Sequence, residues 1–239
     1  MKKPTIDEWF AIQREKARRM GYIGGVEELG IWSPRDREIY ERYHPSMKIL
    51  YVHGLSSSGT SQTASTLRNC LPEDVVISPD LPIDPDEALE LLRLIVSTQK
   101  IDLVIGSSMG GMLAQKLRGC PKILVNPAFH VSQLMRGMLG KHEFFSMRTD
   151  GLTEYEITEE LCDRYECLER EQFGGLCNHE REITLGMFGR YDDVVDGSEE
   201  FKQHYPHVCY YDGGHRLSEE VIKELLVTKI EEFRAQMLD

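Results

Sequence analysis

Six short runs of β-branched and apolar residues punctuate the chain, each closed by turn residues: Ile49–Val52, Val75–Ile77, Leu103–Ile105, Ile123–Val125, Ile183–Phe188 and Val208–Tyr211. They are apolar at nearly every position rather than at every second one. That is the pattern of strands covered on both faces. Between them lie stretches with helical spacing of apolar positions, Gln62–Cys70, Pro85–Gln99, Met109–Leu117 and Ser198–His204. A strand, a helix and two loops need roughly 20–30 residues, and four of the five strand-to-strand intervals fit that length. The alternation predicts an α/β fold with a mainly parallel sheet of about six strands and helices on both faces.

The interval between Ile123–Val125 and Ile183–Phe188 is too long for one crossover. Its excess, about residues 131–180, predicts a helical insertion that leaves from one end of the sheet, as a lid does. Within it Ile157, Leu161, Tyr165 and Leu168 fall at helical spacing, and Thr158 followed by Glu159 and Glu160 makes a helix start. Residues 1–45 predict a separate helical extension. Thr5-Ile6-Asp7-Glu8 has capping-box spacing, Gly21 closes that helix, and Ser33-Pro34 opens a second. The extension is expected to serve packing or assembly, including homo-oligomer formation, with the sheet domain spanning residues 46–239.

Composition narrows the partners. The 239 residues are 41% hydrophobic, and 40 acids against 28 Lys and Arg leave a net charge of −12. Nucleic acid and anionic lipid call for clustered cations, so neither is expected. No run of 18 apolar residues predicts a membrane span. The first 20 residues lack the apolar centre of a signal peptide. Six scattered cysteines then read as reduced thiols in a cytoplasm.

The sharpest motif is Gly106-Ser107-Ser108-Met109-Gly110, which satisfies G-x-S-x-G. That pattern serves a strand-to-helix turn so tight that the serine backbone is strained and its neighbours must be small. Here a buried run ends just before Gly106 and a helical run starts just after Ser108. A nucleophilic serine needs a base and an acid that orients it. Asp192 follows the next-to-last strand and His215, in Asp212-Gly213-Gly214-His215, follows the last. In a parallel sheet these loops share the carboxyl edge. Asp193 is the rival acid, and the spacing from Gly189 favours Asp192. Tyr51-Val52-His53-Gly54 ends the first strand, after which the N–H of Leu55, with that of Met109, can form an oxyanion hole. His53 is expected to brace this loop. The insertion supplies Met138 and Phe144 as candidate contacts for an acyl chain.

Two other motifs compete. Gly54-Leu55-Ser56-Ser57-Ser58-Gly59-Thr60-Ser61 mimics a phosphate loop, but Thr60 stands where the phosphate-neutralising lysine belongs. Cys162, Cys167, Cys177 and His179 lie close enough in sequence for a zinc site, although their spacing is unusual. Cys162 and Cys167 are also expected on the apolar side of the insertion helix, as buried thiols. No cofactor and no metal are expected.

Taken together, Tyr51-Val52-His53-Gly54, Ser78-Pro79-Asp80-Leu81, Gly106-Ser107-Ser108-Met109-Gly110-Gly111, Asn126-Pro127-Ala128, Asp192-Asp193-Val194-Val195 and Gly213-Gly214-His215 resemble the α/β-hydrolases. Within them they resemble the small bacterial YqiA-like esterases. The resemblance implies a sheet lacking the first two strands of larger hydrolases and a cytoplasmic serine esterase or thioesterase. It also implies Ser108, Asp192 and His215 as the triad. The alternatives are an acyltransferase or amidase on the same residues, or a hydrolase fold retired from catalysis into binding or assembly.

Overall fold

A computed structural model of the chain describes residues 45–236. They fall into two units: residues 47–227, and a second to which residues 45–46 and 228–236 belong. Apart from Pro45, the expected N-terminal extension lies outside the described residues. In the second unit Arg234 donates to the Pro45 carbonyl and pairs with Glu231.

The larger unit is built on strands β1 (Lys48–Val52), β2 (Val75–Ile77), β3 (Leu103–Ser107), β4 (Lys122–Val125), β7 (Thr184–Gly189) and β8 (His207–Tyr211). They form one sheet in the order β2-β1-β3-β4-β7-β8, and every pair is parallel. The crossovers carry α1 (Gln62–Cys70), α2 (Pro85–Gln99), α3 (Met109–Gln115) and α7 (Ser198–His204). The chain steps outward from β1 to β2, then back past β1 to β3. Because parallel crossovers are right-handed, α1 and α2 lie on opposite faces. Short α8 (Glu219–Val221) runs into a π-helical turn, Ile222–Leu226, which packs on α1. The central strands are apolar over most of their length because both faces are covered: Leu50, Val52, Val104 and Leu124 are fully buried.

The insertion departs from the expectation of helices alone. It holds α4 (Val131–Arg136), an antiparallel pair β5 (Gly140–Glu143) and β6 (Glu154–Ile157), then α5 (Glu159–Arg170) and α6 (Asn178–Glu182). β6 alternates polar and apolar residues, with Tyr155 and Ile157 buried, so its period of two was visible. Its partner Gly140-Lys141-His142-Glu143 has no β-branched residue to mark it. Helix α5 starts as expected, the Thr158 hydroxyl accepting from Leu161 N at 3.1 Å. It fastens the insertion by burying Leu161, Cys162 and Tyr165, whose hydroxyl donates to the Ile83 carbonyl at 3.0 Å. Cys167, expected beside Cys162, is exposed. Five residues turn an α-helix by roughly 500°, which carries the second thiol off the apolar stripe. Among the described residues no helix is long and apolar enough to cross a membrane.

At the amino edge of the sheet, Lys122 and Glu180 form a buried pair at 2.7 Å, and Gly119 N donates to the same carboxylate at 2.6 Å. Burial pushes the Glu180 carboxyl up, but the hydrogen bonds from Lys122 and Gly119 outweigh it and leave the carboxyl below its ordinary value. Glu180→Gln strands a buried ammonium and should cost about 3 kcal/mol in urea unfolding at pH 7. A carboxyl whose pKa is lower in the folded state stabilises above its unfolded pKa and loses that contribution as pH falls through its folded one. The gap between the variant and the parent should therefore shrink on acidification below about pH 4. A gap unchanged by acid would show that the pair contributes nothing through its charge.

Candidate active site

The site begins with a backbone constraint. Strand β3 ends at Ser107 and α3 starts at Met109, so Ser108 alone makes the turn, with φ 56° and ψ −124°. A non-glycine residue held there stores roughly 1–3 kcal/mol of strain. Three donors fix its carbonyl, Ala128 N at 3.0 Å, Gly111 N at 2.9 Å and Met112 N at 3.2 Å, while its own N–H donates to Val125 O at 3.0 Å. The flanking glycines are required by space. A Cβ on Gly106 would stand 2.5 Å from Gly110 O, and one on Gly110 would stand 2.2 Å from Val52 O and 2.3 Å from His53 O. Helix α3 thus lies directly on the end of β1, and the serine hydroxyl is left above the sheet edge.

The other two residues arrive from the carboxyl ends of β7 and β8. His215 Nε2 lies 2.9 Å from Ser108 Oγ, and His215 Nδ1 lies 2.8 Å from Asp192 Oδ2. The second oxygen of Asp192 accepts from Val194 N and Val195 N at 2.9 and 3.0 Å. Its side chain is only 5% exposed, whereas Asp193 is exposed. The structure therefore brings together Ser108, Asp192 and His215 and leaves Asp193 outside. Ser107 instead lies beside the buried Tyr51 hydroxyl, whose pKa burial raises to about 12. A cleft of about 280 Å³ lies beside the acid, lined by Asn126, Phe188, Asp192, Val195, Ser198 and Tyr210. Neither Ser108 nor His215 lines it.

Across the nucleophile, a Cβ on Gly54 would stand 3.2 Å from Ser108 Cβ, so the loop after β1 passes against the serine. Met109 N is the first amide of α3 and has no intrahelical acceptor. Leu55 follows Gly54 in the loop that passes Ser108. His53 braces the loop as expected: it is buried, Nδ1 donates to Gly54 O at 2.9 Å and Nε2 accepts from Leu81 N at 3.2 Å. Burial holds its pKa below the ordinary imidazole value, and Nε2 is the acceptor because the Leu81 amide can only donate.

A model of the "Uncharacterised protein family (UPF0227)" matches residues 48–226. The chain belongs to this family. The UPF0227 segment starts with β1 and ends with the π-helical turn, so it contains every site residue named above. Solved structures share its fold at low identity. Est1E from Butyrivibrio proteoclasticus aligns with a TM-score of 0.59 at 13% identity over 80% of this chain and 90% of that one. Alpha/beta hydrolase domain-containing protein 10 from mouse gives 0.57 at 14% over 80% and 90%. The Pyrococcus furiosus esterase Pf2001 gives 0.52 at 18% over 81% and 84%. The UPF0227 chain has the α/β-hydrolase fold.

In this UPF0227 member the serine-rich loop is occupied by the insertion. Phe145 N donates to Ser56 O at 2.7 Å, Ser56 bonds the Tyr155 hydroxyl, and the hydroxyls of Ser58 and Thr60 both donate to Met147 O. Asp80 ties Gly59 N at 2.8 Å to Thr149 N at 2.6 Å. These hydroxyls are spent on protein partners, which explains the motif without a phosphate. Of the insertion residues expected at the site, Met138 is exposed and its carbonyl meets His142. Phe144 packs on Tyr155 under the Arg148 guanidinium. Phe145, which the sequence groups with Phe144 as apolar surface of the insertion without singling it out, is 69% exposed, and the Arg216 guanidinium, one residue past His215, stands 4.8 Å from its ring. Cys162, Cys167, Cys177 and His179 do not gather. Among the described residues no three His, Cys, Asp or Glu side chains stand together as a metal site would need.

The elbow makes a stability prediction. Gly110→Ala meets backbone carbonyls that cannot yield and should cost at least about 3 kcal/mol in chemical unfolding. At Gly111, where a Cβ would stand 3.0 Å from Pro127, the helix-propensity gain of about 1 kcal/mol offsets the tighter contact, so Gly111→Ala should be near neutral. Equal costs at the two positions would contradict the close approach of α3 to β1.

Proposed function

We propose that this chain is a serine hydrolase that cleaves acyl esters or thioesters of a small molecule through an acyl-enzyme on Ser108. The observation that carries the reading is the unbroken hydrogen-bonded line from Ser108 Oγ through His215 to Asp192. His215 Nε2 takes the Ser108 proton as Oγ attacks the acyl carbon, and Asp192 holds the imidazole in the tautomer that leaves Nε2 free. The oxyanion faces the N–H groups of Leu55 and Met109, each typically contributing about 3 kcal/mol to the tetrahedral intermediate. Collapse expels the alcohol or thiol, which receives the proton from His215. Water then attacks the acyl-enzyme, loses its proton to His215, and releases the acid as Ser108 regains its own.

An activated amide or an acyl acceptor other than water would use the same groups. A fold retired from catalysis would not react with a fluorophosphonate probe, whereas this reading expects covalent labelling that Ser108→Ala abolishes. Turnover of p-nitrophenyl esters should fall at least about 10³-fold in Ser108→Ala. Asp192→Asn should cost on the order of 10³–10⁴-fold in kcat, and Asp193→Asn little. The reverse ranking of the two aspartates in steady-state kinetics would move the acid along the loop by one residue.

The insertion is proposed to set acyl preference and access, with Phe145 rather than Phe144 at the mouth. Phe145→Ala should change relative rates across ester chain lengths by about 1–3 kcal/mol equivalent with little change in Tm. Phe144→Ala should instead lower Tm and leave the profile flat. If both variants lower Tm and neither moves the chain-length profile, the insertion is packing only.

A further inference from the structure

The two loops that carry the acid and the base meet over a single amide. Asn126 is the residue directly after β4, in the left-handed region at φ 42° and 1% exposed. Its Oδ1 accepts from Gly189 N at 2.8 Å, at the root of the loop that carries Asp192. Its Nδ2 reaches Gly214 O at 3.1 Å, His215 O at 3.0 Å and the Tyr211 hydroxyl at 2.8 Å, all in the segment that carries the base. These partners settle the amide orientation: a backbone N–H only donates and a carbonyl only accepts. The Tyr211 hydroxyl donates onward to Gly214 O at 3.3 Å, which fixes it as the acceptor for Asn126.

We infer that Asn126 is a positioning residue that clamps the acid loop and the base loop in mutual register. The inference rests on the triad reading above. Three facts carry it. The clamp needs a donor and an acceptor about 2 Å apart on one short buried side chain, and asparagine supplies both while tolerating a left-handed backbone. The loops it joins touch directly: a Cβ on Gly189 would stand 2.6 Å from both Gly213 O and Gly214 O. The flanking backbone also grips the nucleophile, since Val125 O accepts from Ser108 N and Ala128 N donates to Ser108 O. One stretch of four residues, 125–128, thus bonds the carriers of all three triad members. Asn126 touches no reacting atom; it acts through His215 and Asp192.

Two variants separate the halves of the clamp. Asn126→Asp keeps the shape and the acceptor toward Gly189 while replacing the donor toward the base loop, and Asn126→Ala removes both. In each, kcat for a p-nitrophenyl ester and the rate of fluorophosphonate labelling should fall about 10²-fold, with KM within about threefold. The low-field NMR resonance of the His215 Nδ1 proton, which reports the bond to Asp192, should be lost in protein that circular dichroism shows folded. Tyr211→Phe removes only the hydroxyl that buttresses the amide and should slow labelling about threefold without a change in Tm. Folded Asn126 variants with wild-type labelling and an intact resonance would overturn the inference. If both Asn126 variants fail to fold, wild-type labelling in Tyr211→Phe overturns it too. A wild-type protein that is not labelled at all marks the failure of the hydrolase reading instead, and the resonance still tests the clamp.

Discussion

The site depends on how closely α3 lies against the end of β1. With the Val52 and His53 carbonyls where a Cβ on Gly110 would have to go, the helix cannot retreat, and the one residue between strand and helix must turn within itself. Ser108 therefore takes a φ that residues with a Cβ avoid, and the strain is held by four backbone hydrogen bonds to β4, to Ala128 beyond it and to the helix. The exposed hydroxyl follows from this packing. A looser elbow would relieve the strain and lower the serine into the sheet edge, away from His215.

The parallel sheet does the rest. Because every strand runs the same way, the loops after β1, β3, β4, β7 and β8 all open on one edge, and residues as far apart as 108 and 215 meet there. The insertion leaves from that edge after β4 and returns its 145–149 segment to the loop after β1 through Ser56, Ser58, Thr60 and Asp80. The loop proposed to hold the oxyanion is thus positioned from one side by His53 and from the other by the insertion. The buried Lys122–Glu180 pair closes the excursion at the opposite edge, just before β7.

Much of this was legible in the sequence because it rests on local patterns. The six strands are continuous apolar runs, and α1, α2 and α7 begin and end where their periodicity does. Ser108 is marked by its glycines, and Asp192 and His215 by following a buried strand within a turn. What the sequence hid depends on partners distant along the chain. Strand β5 has no apolar pattern of its own and exists through its pairing with β6. Phe144 and Phe145 are alike as letters, and only the path of the chain just beyond β5 sets one against Tyr155 and the other beside Arg216. Asn126 stood in a motif that drew notice but carried no role, since its four partners lie more than sixty residues away. Its one local sign is an asparagine where the chain leaves a buried strand.

The central claim is that Ser108 becomes acylated. The most direct measurement is rapid-quench mass spectrometry of the protein mixed with a p-nitrophenyl ester, with the released nitrophenolate followed in parallel. The account predicts a burst that approaches one equivalent per chain, with the acyl mass on the peptide that contains Ser108 and mapped to that residue by fragmentation. Nitrophenolate release without any adduct, or an adduct mapped to Ser107 or to a cysteine, would contradict it.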